Sequence, residues 1–356
     1  MEFFKKHWKI ILCGVFIGIF AAVLQTLGNP ANMGICVACF ERDIAGALGF
    51  HKAAIVQYLR PEIFAFVLGS FVASLIFKEF KPRGGSLPLV RFFLGFFAMI
   101  GALVFLGCPW RALLRLAGGD WNAIVGIIGL VAGVYVGILF IRNGFTLGRN
   151  YPAYKLAGLL MPLLMFALFL LLIIRPAVPT GAPFFSQKGP GSQHAPIIAS
   201  FAIAFFIGVF AQRTRFCTMG SIRDIILMRD FHLASGVISL LVFAFLANLV
   251  FGQFHPGFTG QPIAHTNHLW NFLGMALAGL SYALAGGCPG RQLFLSGEGD
   301  IDAGVFVIGM IVCAGFAHNF GTAASPAGIA PWTPFAVIIG LLFCVATGLF
   351  MRKRIA

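Results

Sequence analysis

The sequence predicts an all-α integral membrane protein of about ten spanning helices, and three observations predict it. The chain of 356 residues is 59% hydrophobic and only 10% charged, whereas soluble domains carry roughly 25% charged residues. Its mean hydropathy is +0.93. Its charged residues gather between apolar runs whose length suits a bilayer, roughly 20 residues or somewhat fewer. No polar stretch is long enough for a separate soluble domain, so residues 1–356 read as a single membrane domain.

The ten runs fall at about 10–28, 61–77, 91–107, 122–141, 156–174, 196–211, 235–252, 269–286, 302–320 and 334–351. The first follows Lys5, Lys6 and Lys9 and has the outline of a secretory signal. A matching run precedes Cys217, however, so it is read as a retained helix. Further basic residues cluster at Lys78, Lys81, Arg83 and Arg91, at Arg142, Arg149 and Lys155, at Arg213, Arg215, Arg223 and Arg229, and at Arg352-Lys353-Arg354. A net charge of +14 distributed in this way follows the positive-inside rule and not the pattern of a nucleic-acid-binding surface. With ten crossings and both termini cytoplasmic, every cluster falls on one side. The segments Arg175–Pro196 and Gly252–His268 then face outward. The second holds His255, His265 and His268, whose spacing matches no metal-ligand pattern. No metal or cofactor is expected, and without a phosphate-binding loop direct ATP coupling is not expected either.

The chain contains an internal repeat. At an offset of 181, Cys36 meets Cys217, Arg42 meets Arg223, Asp43 meets Asp224, and Phe50-His51 meets Phe231-His232. At an offset of 180, Gly107-Cys108-Pro109-Trp110-Arg111 meets Gly287-Cys288-Pro289-Gly290-Arg291, and Gly119-Asp120 meets Gly299-Asp300. The expected organisation is a first repeat over 10–141, a spacer helix at 156–174, a second repeat over 196–320 and a terminal helix at 334–351. Four spans plus one spacer turn the second copy upside down, and inverted repeats of this kind hold a transporter's substrate near the bilayer midplane.

The repeated residues are ones that lipid does not tolerate without a reason. Proline suits the first turn of a helix, so helices opening at Pro109 and Pro289 aim free N–H groups and the positive dipole end near Cys108 and Cys288. Arg111 and Arg291 add a planar, two-pronged donor for an oxyanion. A neutral thiol is a weak donor to a passing anion, whereas a permanent thiolate would repel it. The competing reading joins Arg111 to Asp120 and Arg291 to Asp300 as ion pairs that only fix the loops. Arg42-Asp43 and Arg223-Asp224 are read as braces on short amphipathic helices at about 40–51 and 221–232, lying at the interface, while Cys36 and Cys217 carry the function of those segments. Cys36-x-x-Cys39 also has the spacing of a thiol redox pair, although Gly220 stands where the second copy would need the second cysteine. Cys13, Cys313 and Cys344 lie inside apolar runs and read as packing residues.

At Arg215-Phe216-Cys217, Arg223-Asp224 and Ala285-Gly286-Gly287-Cys288 the chain resembles the YeeE/YedE family of membrane proteins, with a weaker echo in the first copy. The resemblance implies an hourglass-shaped helical protein with pseudo-222 symmetry in the bacterial cytoplasmic (inner) membrane. It also implies thiosulfate uptake, with successive cysteines relaying the anion through loops that meet at the membrane centre. Carried over by motif, the relay is Cys36, Cys108, Cys217 and Cys288. The Cys-Pro-x-Arg form in both halves resembles a subgroup associated with selenium metabolism, so selenite and related anions join thiosulfate as expected substrates. The chain is therefore read as a transporter and not an enzyme. The alternative is a membrane thiol redox enzyme or sulfurtransferase using Cys36 and Cys39 or Cys288. A soluble sulfur- or selenium-carrier protein on the cytoplasmic side is a compatible partner that no residue specifies.

Overall fold

The computed structural model describes residues 2–176 and 181–352. Lys353 and Arg354 of the terminal basic cluster, and residues 177–180 of the expected outward loop, lie outside the described residues. The regular structure of the described chain is helical, apart from a two-residue ribbon between β1 (Arg83–Gly84) and β2 (Tyr151–Pro152). Its helices are α1 (Glu2–Thr26), α2 (Val37–Ala47), α3 (Pro61–Ile76), α4 (Pro88–Phe105), α5 (Pro109–Ala117), α6 (Asn122–Arg142) and α7 (Lys155–Ile174). They continue with α8 (Ile197–Thr214), α9 (Thr218–Met228), α10 (His232–Val250), α11 (His268–Ala285), α12 (Pro289–Gly297), α13 (Ile301–Asn319) and α14 (Thr333–Phe350).

Every expected apolar run is a helix. Among the described residues, nine helical segments are long and apolar enough to cross a membrane, while α3 is apolar but only 16 residues long. The remaining four helices are short: α2 and α9 have 11 residues, α5 and α12 have nine. Proline opens α3, α4, α5 and α12 at the position where its missing N–H is not needed.

The long helices pack in pairs drawn from different ends of the chain. α1 lies against α10 and α3 against α8; α4 lies against α13 and α6 against α11; α5 touches α10 and α12 touches α3. Exchanging α1–α6 for α8–α13 in order carries each of these contacts onto another of them. Close approach is obtained with small residues, as in membrane bundles generally. Between α4 and α13, a side chain on Gly95 would run into the Phe306 carbonyl, and one on Gly309 into the Phe92 carbonyl.

The connections separate two faces. On one, His7 meets His232 at 2.7 Å, Arg142 bonds the Ile226 carbonyl, Arg83 bonds Asp300 and Arg215 bonds Glu79. There too, Thr146 bonds the Met351 carbonyl and Ala153 the Pro82 carbonyl. On the other, Gln253 reaches Thr26, Ala195 reaches Asn29, Gln57 reaches Ser186 and Asn319 reaches Phe50. The basic clusters from the amino-terminal lysines to Arg352 therefore share the first face.

One local expectation is corrected. α2 does not lie on a surface, because all 11 of its residues are buried. The reason is cover. Phe184 bonds the Ala47 carbonyl at 2.8 Å and Ser186 the Gln57 carbonyl at 2.9 Å, so the segment after residue 181 is strapped across the end of α2. Both α2 and α9 also begin earlier than the sequence suggested, at Val37 and Thr218, because the preceding cysteine caps each.

A reporter fused at Lys188 should sit on the opposite side of the membrane from one fused at Lys81, with the Lys81 site in the cytoplasm. Accessibility of each to an impermeant probe in oriented vesicles measures this, and the same side for both would break the two-face arrangement.

Candidate functional site

Four short helices begin in the protein interior, and each begins at a cysteine. Cys36 caps α2, Cys108 caps α5, Cys217 caps α9 and Cys288 caps α12. The four side chains are buried, at 0%, 1%, 5% and 0% exposure respectively. A helix start leaves N–H groups without intrahelical partners, and in a dry interior these need acceptors. In α2 the Cys39 N–H points to Cys36 Sγ at 3.4 Å, and in α9 the Gly220 N–H points to Cys217 Sγ at 3.2 Å. In α5 and α12 proline removes one such donor, and the amides of Arg111 and Arg291 lie beside their own helix's sulfur.

The cysteines meet in two pairs. Cys36 Sγ and Cys108 Sγ are 3.9 Å apart, and the Cys217 and Cys288 side chains are also neighbours. The residues beside them join in one aromatic cluster. Trp110 lies 5.7 Å from Phe216, 6.0 Å from Phe294 and 5.8 Å from Phe66, centroid to centroid. Its indole rests on Gly290, its own counterpart in the repeat, where a Cβ would come within 2.9 Å of the ring. Tryptophan on one copy therefore requires glycine on the other.

Around the cysteines, polar atoms are buried without hydrogen-bond partners. They include the Tyr282 hydroxyl, Trp110 Nε1, Thr218 Oγ1, one oxygen of Gln292 and both carboxyl oxygens of Glu41. Each of the four short helices contributes one. Such groups are normally satisfied, so the ones beside the thiols are free to bond a polar guest.

The two copies differ in access. On the α9 and α12 side, a polar cavity of about 330 Å³ is lined by Arg215, Arg223, Asp224, His232 and Arg291, with Cys217 and Gly220 also on its wall. On the α2 side the matching residues are sealed. Asp43 is fully buried between Arg42 and Arg60, each at 2.7 Å, whereas Asp224 has only Arg223, at 2.8 Å. Arg60 also bonds the carbonyls of Pro190 and Gln193, and Tyr58 stacks on His194 at 4.3 Å, holding the strap in place.

The arginines are held differently from the loop ion pairs of the competing reading. Asp120 takes Arg115 at 2.6 Å, because Arg115 lies one turn beyond Arg111 and nearer the following bend. Arg111 is wholly buried, bonding the carbonyls of Leu106, Asn32 and Ile263 and lying 3.5 Å from Cys39 Sγ. Asp300 takes Arg83 at 2.9 Å, and Arg291 instead reaches Glu298 at 3.3 Å, beside Arg215 at 2.8 Å. Neither ion pair of the competing reading forms, and both Cys-Pro-x-Arg arginines remain near the thiols. Arg42 with Asp43 and Arg223 with Asp224 are each paired.

Cys39 Sγ faces Arg111 and the Leu106 carbonyl. Cys13, Cys313 and Cys344 are buried inside α1, α13 and α14 and cap no helix. Two of the three histidines of the 252–268 segment are engaged separately: His265 bonds the Val104 carbonyl at 2.7 Å, and His268 packs on Phe258. Burial pushes His265 below its ordinary value, which keeps that ring neutral near neutral pH.

Sequence reasoning missed Glu41, Arg60, Arg115, Tyr282 and Glu298. Arg60 and Arg115 correspond to Leu241 and Leu295 in the second copy, so the repeat does not single them out. The Trp110–Gly290 difference was visible within the motif.

Fold and site together define a multi-pass helical membrane protein with thiols gathered in its interior. Residues 213–351 match the family model described as sulphur transport, and over that span the YeeE/YedE resemblance is borne out. The family is one of transporters, and the match includes Cys217, Arg223, Asp224, Cys288, Arg291 and Asp300. No curated protein matches the chain.

With Cys13, Cys313 and Cys344 replaced, an impermeant thiol reagent applied to the basic face should modify Cys217 about tenfold faster than Cys36. Arg60→Ala leaves Asp43 with Arg42 alone and removes the Arg60 bonds to the Pro190 and Gln193 carbonyls. It should lower the melting temperature and expose Cys36 from the opposite face. Equal labelling of Cys36 and Cys217 in the parent chain would contradict the open and sealed mouths.

Proposed function

We propose that the protein carries a small sulfur- or selenium-containing anion, such as thiosulfate or selenite, across the cytoplasmic membrane along Cys36, Cys108, Cys217 and Cys288. The observation that carries this reading is the placing of four buried cysteines at four interior helix starts, paired across each half. The sulphur transport match supports the sulfur side of it.

Each group has a physical role. Arg215, Arg223 and Arg291 border the open cavity beside Asp224 and Asp230, and offer planar guanidinium donors to an entering anion. The helix N-termini supply N–H donors and a favourable dipole to oxygen atoms of the anion. Neutral thiols supply polarizable contacts to its soft sulfur or selenium atom without adding charge. Arg111 and Arg291 stand near the thiols to offset charge where water is scarce. Trp110 packs on Gly290 where the two copies meet. The Cys-Pro-x-Arg form in both halves favours the selenium-associated subgroup, and the exchange symmetry of the helix contacts supports an inverted repeat.

Cys288→Ser keeps size and a donor but loses polarizability, and Cys288→Ala loses both. Ala is expected to abolish uptake and Ser to reduce it by about tenfold. Arg291→Lys is expected to impair uptake too, since a point charge does not replace a planar fork. The assay is uptake of labelled thiosulfate and selenite in cells lacking other importers, with membrane levels of each variant measured. Near-normal uptake of both anions by Cys288→Ala would sink the relay.

A further inference from the structure

Glu41 stands apart from every other described acidic side chain. It is fully buried, and neither carboxyl oxygen has a hydrogen-bond or ion-pair partner. The other buried acids are all engaged. Asp43 has Arg42 and Arg60; Asp120 has Arg115; Asp224 has Arg223; Glu298 has Arg215 and Arg291; Asp300 has Arg83. Asp302 accepts from the amides of Gly85 and Ser86, and Glu62 from Asn29. A bare carboxylate in such a place is unfavourable enough that the group takes up a proton instead.

Its position is not incidental. Glu41 is on α2, five residues after Cys36, and lies within electrostatic range of Cys108 of α5. The Tyr282 hydroxyl of α11, itself unpartnered, is within electrostatic range of Glu41, Cys36, Cys108 and Cys288. No cation lies among these groups. On its own helix Arg42 is held by Asp43, and Cys39 faces Arg111. From α13, packed on α2, His318 faces Arg42, Asp43 and His51. From α3, Glu62 is bound to Asn29; from α12, Arg291 is bound to Glu298; from α4, Arg91 is bound to Ser86 and the Ala285 carbonyl. The matching position of the second copy is Ile222, so the molecule has one such group and not two.

We propose that Glu41 is the proton-binding site of the transporter, and that one proton enters with each anion carried along the cysteines. This rests on the anion-transport reading above. The coupling follows from charge alone. An anion at Cys36 and Cys108 and a carboxylate at Glu41 repel each other in a medium that screens poorly. Anion occupancy therefore raises the affinity of Glu41 for a proton, and by reciprocity the protonated carboxyl raises the affinity for the anion. No bond to sulfur or selenium forms or breaks. The proton arrives from one side, rides on a carboxyl oxygen and leaves on the other. An inside-negative potential opposes entry of a bare anion, and the accompanying proton reduces the charge moved.

The test uses the full chain in sealed liposomes, with a pH dye outside and labelled thiosulfate or selenite as the probe. The parent chain should take up anion with alkalinisation of the outer medium, faster as external pH falls. Glu41→Gln should lose the alkalinisation completely and flatten the pH profile. Glu41→Asp should restore coupled uptake with a displaced profile. Anion uptake by the parent chain without proton movement would overturn the inference and leave the transport reading intact. Proton movement that persists in Glu41→Gln would overturn it as well. If Glu41→Gln carries nothing, the Asp variant decides: restored coupled uptake supports the role, and no restoration overturns it. Absence of any anion uptake by the parent chain would overturn the transport reading, and this one with it.

Discussion

The structure depends on one constraint: four helices must start inside the protein, where water does not satisfy their free N–H groups. Cysteine is an unusual cap, since its sulfur accepts weakly and asparagine or serine would bond these amides better. The choice makes sense when the amides are wanted for something else. A weak cap leaves the N-terminal field partly unspent, and proline at 109 and 289 shortens the list of donors that must be quenched. What remains is a set of thiols, N–H groups and unpartnered polar atoms close to one aromatic cluster.

The two halves use the same parts with different closure. Asp43 is locked between two arginines and a strap from the segment after residue 181, while Asp224 has a single arginine and borders an open cavity. Trp110 fills the space that Gly290 leaves. A repeat with identical halves would give equal mouths. These few substitutions break the equality, which a carrier needs if one side is to be shut while the other is open.

Much of this was legible in the sequence. The ten helical runs followed from hydropathy, because a bilayer-length apolar run has few alternatives to a helix. The cysteines followed from matching the two halves, since Cys, Arg and Asp at fixed offsets in an apolar chain are not needed for packing. The pairing of charges did not follow. Arg111 and Asp120 lie near each other in sequence, but Arg115 is a turn closer, and Arg83 and Glu298 come from remote segments that no local spacing reveals. Glu41 was hidden for the opposite reason: having no counterpart at Ile222, it never entered the comparison of copies. The burial of α2 was illegible because its cover comes from a segment more than a hundred residues away.

The central claim is that the anion touches the cysteines themselves. Crystals of the protein grown with selenite, with data recorded at the selenium absorption edge, test it most directly. The account predicts selenium peaks in contact with Cys217 and Cys288, or with Cys36 and Cys108, and their loss from the crystal of a chain with those cysteines replaced by alanine. Selenium bound elsewhere in the helix bundle, with none beside the four thiols, would contradict it.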